Sequence, residues 1–404
     1  MKFSTITRFI LGIFAILIGI AASANAQPWT KLTLPDNPGV YCLLPTTGTT
    51  LYAGTAAGIY RSENNGDTWA LLALQTRTIQ SLAVKGTMMF AGLASTGVQR
   101  SVDNGITWTE SSNGLPTSTI YSLLVRGEYI FAATNVSGVY VSSDNGNSWT
   151  QSGLVTDWVY SLALSGSTVF AGTFGNGVYK SEDNGGTWVL SASGLTNPFV
   201  RTIYPQGTSL YAGTLGGGSF RSLNTGSEWT DISTGLGSKE VRAITIGGTS
   251  NNLLIVGTKG AGAYRSADSG KTWVQFIEKL DNLTINTLST IGLSLFAGTD
   301  NGVFRASLDP SGVADDITSQ SNGLSVFPLP FGSAGFSVKL PVLWSKPAVR
   351  LMLCNTLGEK VMDMELSVGN GEYIFVPTGD IPSGVYILRA QSGNESVTQT
   401  IVKE

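Results

Sequence analysis

Tryptophan recurs in this chain at positions 29, 69, 108, 149, 188, 229 and 273, in steps of 40, 39, 41, 39, 41 and 44 residues. One phrase stands ahead of six of them. It reads Ser62-Glu-Asn-Asn-Gly-Asp-Thr-Trp69, Ser101-Val-Asp-Asn-Gly-Ile-Thr-Trp108, Ser142-Ser-Asp-Asn-Gly-Asn-Ser-Trp149, Ser181-Glu-Asp-Asn-Gly-Gly-Thr-Trp188, Ser222-Leu-Asn-Thr-Gly-Ser-Glu-Trp229 and Ser266-Ala-Asp-Ser-Gly-Lys-Thr-Trp273. A second phrase recurs seven times, from Leu51-Tyr-Ala-Gly-Thr55 and Val169-Phe-Ala-Gly-Thr173 to Leu295-Phe-Ala-Gly-Thr299. Such a period means one supersecondary unit copied and stacked, because a single unit cannot bury its own apolar faces.

Each unit reads as four short strands. In the fourth the expected strands are 159–165, 168–173, 177–181 and 187–191, rich in β-branched and aromatic residues, with Gly166 and Asn184-Gly185 at the turns. Four strands per ~40 residues make one blade of a β-propeller. The last unit has strands at 295–299 and 302–305 but no turn phrase after them, whereas the chain starts with a lone outer strand at Trp29-Thr-Lys-Leu32. Joining these halves gives a seven-bladed ring over 27–308, closed by both ends of the domain and free of unpaired edges.

Composition agrees. Only 13% of residues are charged, against a usual ~25%, which suits blades buried on both faces. There is no histidine, which excludes Ser-His-Asp and Cys-His nucleophile sites and His-ligated metals. The net charge of −3 argues against a nucleic-acid partner. Two cysteines, Cys42 and Cys354, are too few for a disulfide scaffold or a four-cysteine zinc site. No cofactor and no metal are expected.

Lys2 and Arg8 precede an apolar run of 14 residues, Phe9 to Ala22, and Ala24-Asn25-Ala26 follows as a cleavage site. An anchor helix is the alternative, but the run is short for a membrane span, and a signal peptide over 1–26 is the expectation. Its removal leaves 22 basic and 27 acidic residues, a net charge of −5, and no transmembrane span in the mature chain.

The phrase Ser-x-Asp-x-Gly-x-Thr-Trp resembles the Asp-box of the bacterial neuraminidase (BNR) repeat, found in sialidase-like propellers, xyloglucanases, sortilin-type receptors and photosystem assembly factors. The resemblance covers about 28–306 and implies a brace on the side away from any ligand. The residues fit that role. Asp103, Asp144, Asp183 and Asp268 can accept turn N–H bonds, and the Trp at 69, 108, 149, 188, 229 and 273 can pack on the hairpin. Asn64 and Asn224 replace Asp in two copies, which should loosen those hairpins. Calcium at these turns is the alternative, but each turn brings one carboxylate where calcium needs six or more oxygens.

Residues 309–325 are polar and aperiodic and read as a linker. From 326 to 404 expected strands return at 336–340, 348–355, 372–376, 384–391 and 396–402, a small Ig-like β-sandwich. Val326-Phe-Pro-Leu-Pro330, Leu357-Gly-Glu-Lys-Val361, Ile381-Pro-Ser-Gly-Val-Tyr-Ile-Leu-Arg389 and the final Ile401-Val-Lys-Glu404 resemble the C-terminal sorting domain of type IX secretion cargo in Bacteroidetes. The first motif departs from the Asn-Pro usual in that family. An adhesive or carbohydrate-binding sandwich is the alternative. The resemblance implies recognition by the type IX machinery and a secreted or surface-displayed product.

The repeats supply an internal test for a site. Positions equal in every blade serve the blade, and positions that differ are free for a ligand. The basic residue of the third strand recurs as Arg61, Arg100, Lys180, Arg221, Arg265 and Arg305 and reads as structural. The second residue of the innermost strand varies as Tyr41, Gln80, Tyr121, Tyr160, Arg201, Arg242 and Asn286 and should ring one mouth of the channel. The loops entering those strands add Arg77, Asp157, Trp158, Phe199, Glu240 and Asp281. The candidate binding residues are therefore Tyr121, Tyr160, Arg201, Arg242, Trp158, Phe199 and Glu240, suited to a sugar or an anion. The other reading is that they plug the channel. A sialidase needs three Arg on its substrate, and a third is not evident. No residue is assigned as catalytic. The expectation is a non-catalytic recognition or scaffold propeller with a glycan or surface protein as partner, and the alternative is a glycoside hydrolase.

Overall fold

The computed structural model describes residues 28–155, 158–248 and 252–308, and toward the C-terminus 325–327, 336–339, 348–355, 359–367, 373–376, 381–392 and 395–403. The expected signal peptide and the stretch 309–324 lie outside the described residues.

The described residues between 28 and 308 form seven four-stranded antiparallel sheets. In blade 4 the strands are Val159–Ser165, Thr168–Thr173, Val178–Ser181 and Val189–Leu190. The innermost strand of each blade packs on those of its neighbours, and that of blade 7, Ile285–Ile291, packs on that of blade 1, Val40–Pro45. This is a closed propeller. The second strands are sandwiched between blades, and every residue of Leu51–Thr55 is buried. The closing strand Thr30–Leu32 pairs with Gly302–Ser307 in the register Thr30↔Arg305, Lys31↔Phe304 and Leu32↔Val303. Trp29 anchors it, stacking on Phe276 at 5.3 Å and donating its indole N–H to the Phe276 carbonyl at 3.0 Å.

The tryptophan phrase does more than brace its own hairpin. Within the turn, Asp144 accepts the Ser148 N–H at 2.9 Å and the Ser148 hydroxyl at 2.6 Å, while Ser142 accepts the Gly146 N–H at 2.8 Å. Asp103, Asp183 and Asp268 repeat this with Thr107, Thr187 and Thr272. The expected loosening is not visible at Asn64, which still holds the Thr68 N–H at 2.9 Å and donates to the Thr68 hydroxyl. At Asn224 the backbone bond to Glu228 remains at 3.0 Å and the hydroxyl bond has no counterpart in Glu228.

The rest of the phrase reaches the preceding blade. A Cβ placed on Gly146, whose φ is +81°, would lie 2.9 Å from the Phe90 ring of blade 2, so only glycine fits both the turn and the seam. Arg100 of blade 2 donates to the Asn145 carbonyl at 2.7 Å, and Arg221 and Arg305 make the same contact to Ser269 and Asn65. The indoles of Trp149, Trp229 and Trp273 donate to the carbonyls of Ser111, Ser191 and Ile232 in the blade before, at 2.7, 2.7 and 2.6 Å. Trp188 bonds the Ser152 hydroxyl at 3.1 Å. Two copies differ: Trp108 donates to Gly105 of its own turn, and the buried Trp69 N–H has no partner among the described residues. The tryptophans expected to pack on their own hairpins are thus mostly seam residues, because the indole N–H of four of the six reaches an acceptor in the blade before.

Toward the C-terminus two sheets share one apolar core. One sheet is Ser325–Phe327, Phe336–Lys339 and Tyr373–Val376, and the other is Lys360–Ser367, Ala348–Asn355, Gly384–Ser392 and Glu395–Lys403. Val338 and Val376 from the first meet Leu351, Leu353, Leu388 and Ile401 from the second, as a small sandwich requires. Ser325 opens a strand, so the expected linker is one residue too long at that end. The strand Lys360–Ser367 was not expected. Its exposed Val361 and charged neighbours mask the alternation, yet Met362 and Met364 pack on the core.

Candidate functional site

Each innermost strand carries a β-bulge between its first and third residues. The register skips at Val40/Cys42, Ile79/Ser81, Ile120/Ser122, Val159/Ser161, Val200/Thr202, Val241/Ala243 and Ile285/Thr287. The skipped residues are Tyr41, Gln80, Tyr121, Tyr160, Arg201, Arg242 and Asn286, the seven that vary between blades. A bulged residue leaves the ladder and its side chain is re-aimed. The residue before each one meanwhile stays in the core, with Val159, Val200 and Val241 fully buried.

Blades 3 to 5 contribute an arc of aromatic rings. Tyr121 lies 4.8 Å from Tyr160 and 6.5 Å from Trp158, centroid to centroid. Trp158 lies 5.9 Å from Tyr160 and 5.0 Å from Phe174, and Phe174 lies 4.9 Å from Phe199. Arg201 sets its guanidinium over two of these rings, 4.8 Å from Tyr160 and 5.8 Å from Tyr121. Burial pushes the Arg201 pKa down from the usual guanidinium value, opposed by the two tyrosines. Burial likewise raises Tyr160, with a further push from Tyr121.

Blades 6 and 7 contribute charge that is already paired. Arg242 donates twice to Glu240 Oε1, at 3.0 and 2.9 Å, and once to Asn286 at 2.9 Å. Lys259 adds a second cation 3.5 Å from Glu240 Oε2. Asn286 in turn donates to Asp300 at 2.7 Å.

The expected residues thus divide. Tyr121, Tyr160, Trp158, Phe199 and Arg201 form one connected group, with Phe199 joined through Phe174. Arg242 and Glu240 form a second group around their own ion pair. Asp281 is not part of either, because it pairs with Lys31 of the closing outer strand at 3.5 Å. Asp157 lies outside the described residues. Phe174, Lys259 and Asp300 were missed, and one signal could have found them. All three occupy the position after the second-strand phrase, which varies as Ala56, Ala94, Asn135, Phe174, Leu215, Lys259 and Asp300. No group of three or more acidic or cysteine side chains among the described residues could hold a metal ion.

Two family models match the chain. The DUF6242 β-propeller domain matches residues 17–129 and the secretion system C-terminal sorting domain matches residues 325–404. The sorting domain directs the protein through the type IX machinery to the cell surface or the medium. Among the described residues no helix is long and apolar enough to cross a membrane. Solved structures share the fold at low identity. The structure of YCF48 bound to D1 peptide is 17% identical, with 70% of this chain and 95% of that one covered at a TM-score of 0.57. The extracellular domain of the putative hybrid two component system BT3049 from B. thetaiotaomicron is 15% identical, with 93% and 57% covered at 0.58. The GH74 enzyme of Niastella koreensis is 15% identical, with 92% and 74% covered at 0.56. None of the curated proteins compared with the chain matches it.

Proposed function

We propose that the chain is an exported, non-catalytic recognition propeller that binds a glycan at the bulge-lined mouth. In this reading the tryptophan phrases are Asp-box braces and seam connectors, and the ligand face is the opposite one. The carrying observation is that all seven bulges fall on the residue that differs between blades. Side chains that merely filled the channel would serve a symmetric scaffold as well if they repeated, yet the ring is split into an aromatic arc and a charged arc. Against catalysis stands the state of the two carboxylates, among the described residues, that pair with ring side chains. Glu240 is engaged by Arg242 and Lys259, and Asp300 accepts from Asn286, so neither is set up as a free acid–base pair.

A glycan array and a fluorogenic-glycoside screen, each with Arg201→Ala and Arg242→Ala variants, test this reading. The expected result is binding without turnover, weakened by Arg201→Ala. Hydrolysis that disappears in either variant would make the chain a glycosidase instead.

A further inference from the structure

Arg201 and Arg242 occupy the same position in adjacent blades, but their surroundings differ. Arg242 spends Nε and Nη2 on Glu240 and Nη1 on Asn286. Arg201 makes no hydrogen bond and no ion pair among the described residues, and its contacts are ring faces. Its N–H groups are thus uncommitted, and the edge of a guanidinium matches a carboxylate through two parallel hydrogen bonds. The rings around it supply the other half of a site. Phe174 is 39% exposed beside Trp158, an apolar surface left open to solvent next to a cation that has no direct ion-pair partner among the described residues.

The backbone of this rim is already used. Phe174 N–H donates to Trp158 at 3.0 Å, Leu215 to Phe199 at 2.9 Å, and Gly175 and Gly216 to Pro198 and Lys239 at 3.2 and 3.1 Å. Phe174 and Phe199 are bridged to each other, as are Leu215 and Glu240. An extended peptide recognised through a sheet edge needs such groups free. What the rim offers is ring faces, tyrosine hydroxyls and one guanidinium edge. Those suit a hydroxylated ring with an apolar C–H face and an attached acid.

We infer that the mouth takes an acidic saccharide, the carboxylate of a hexuronic acid residue on Arg201 and its sugar ring on the Trp158–Phe174 surface, with Arg242 held by Glu240 as scaffold. This rests on the mouth being the binding face and adds the ligand class. Tetragalacturonate, its methyl ester and a neutral cello-oligosaccharide would be titrated calorimetrically into the full chain and into Arg201→Gln, Arg201→Lys and Trp158→Ala. Melting temperatures would confirm that each variant is folded. The acid should bind, and Arg201→Gln should weaken it about 10- to 100-fold, the value of hydrogen bonds to a charged group. Arg201→Lys should fall between, and the methyl ester should lose a similar factor against the unaltered chain. Trp158→Ala should weaken acid and ester alike.

Equal affinity for acid and ester, with Trp158→Ala still harmful, would overturn the carboxylate assignment and leave the mouth as the site. Saccharide binding indifferent to every variant would remove the mouth itself. Capture of a glutamate-rich peptide in place of all three sugars, lost in Arg201→Gln, would overturn the ligand class.

Discussion

Single residues in this fold carry meaning mainly through the blade next door. Trp149 and Trp69 stand at the same place in the repeat and both are buried, but only Trp149 has a carbonyl to bond. Replacing either by Phe removes similar bulk. Trp149→Phe should cost about 1 kcal/mol more than Trp69→Phe in urea denaturation, the net worth of one hydrogen bond. Equal costs would contradict the seam bond. The turn aspartates make a second case. Hydrogen bonds from Thr or Ser side chains and turn N–H groups hold Asp103, Asp144, Asp183 and Asp268 at a pKa of about 2, below the usual 3.8. A lowered native pKa contributes stability that is complete above the unfolded value and disappears as pH falls toward about 2. The melting temperature should therefore drop more steeply between pH 4 and 2 than that of a variant with all four changed to Asn. Parallel profiles would show that the turns do not titrate on folding. Asn is already tolerated there at positions 64 and 224, so that variant should fold.

At the level of elements, one strand of three residues decides whether the ring exists. Thr30–Leu32 supplies the outer strand of blade 7, and Trp29 seals the seam to blade 6. Deleting 28–34 should expose the edge of Gly302–Ser307 and the apolar surface around Phe276 and Phe304, and cooperative unfolding should collapse to a broad, low-temperature transition. A deletion that melts like the intact chain would mean that the closure is dispensable. This element was legible beforehand because the half-units at 29–32 and 302–305 are complementary. The bulges were not legible. A bulge adds no residue type of its own, and Val159-Tyr160-Ser161 reads as ordinary alternation until the pairing of Val159 with Thr173 and Ser161 with Gly172 is known.

For the whole molecule, the two ends have separate tasks. The propeller presents a mouth, and the C-terminal sandwich determines where the protein goes. Truncation after Phe327 should leave a folded propeller in the periplasm, as cell fractionation with an antibody to the propeller would read. Surface or extracellular propeller from that truncation would refute the assignment of the signal to the sandwich. The amino-acid sequence alone determined the repeat, the propeller fold, the pairing of the first strand with the last unit and the export route. Each of these rests on patterns that recur at fixed spacing or on motifs contiguous in the chain. It also singled out the varying second residue of each innermost strand, because comparing blades separates what repeats from what varies, although it did not show that these residues are bulged. Only the tertiary structure decided the character of the site. Arg201 and Arg242 are equivalent in the sequence, and what separates them is which neighbour arrives from one or two blades away: aromatic rings at 121 and 160, or Asn286 beside the adjacent Glu240. Charge pairing depends on distances of a few ångströms between blades, and no local pattern encodes those distances.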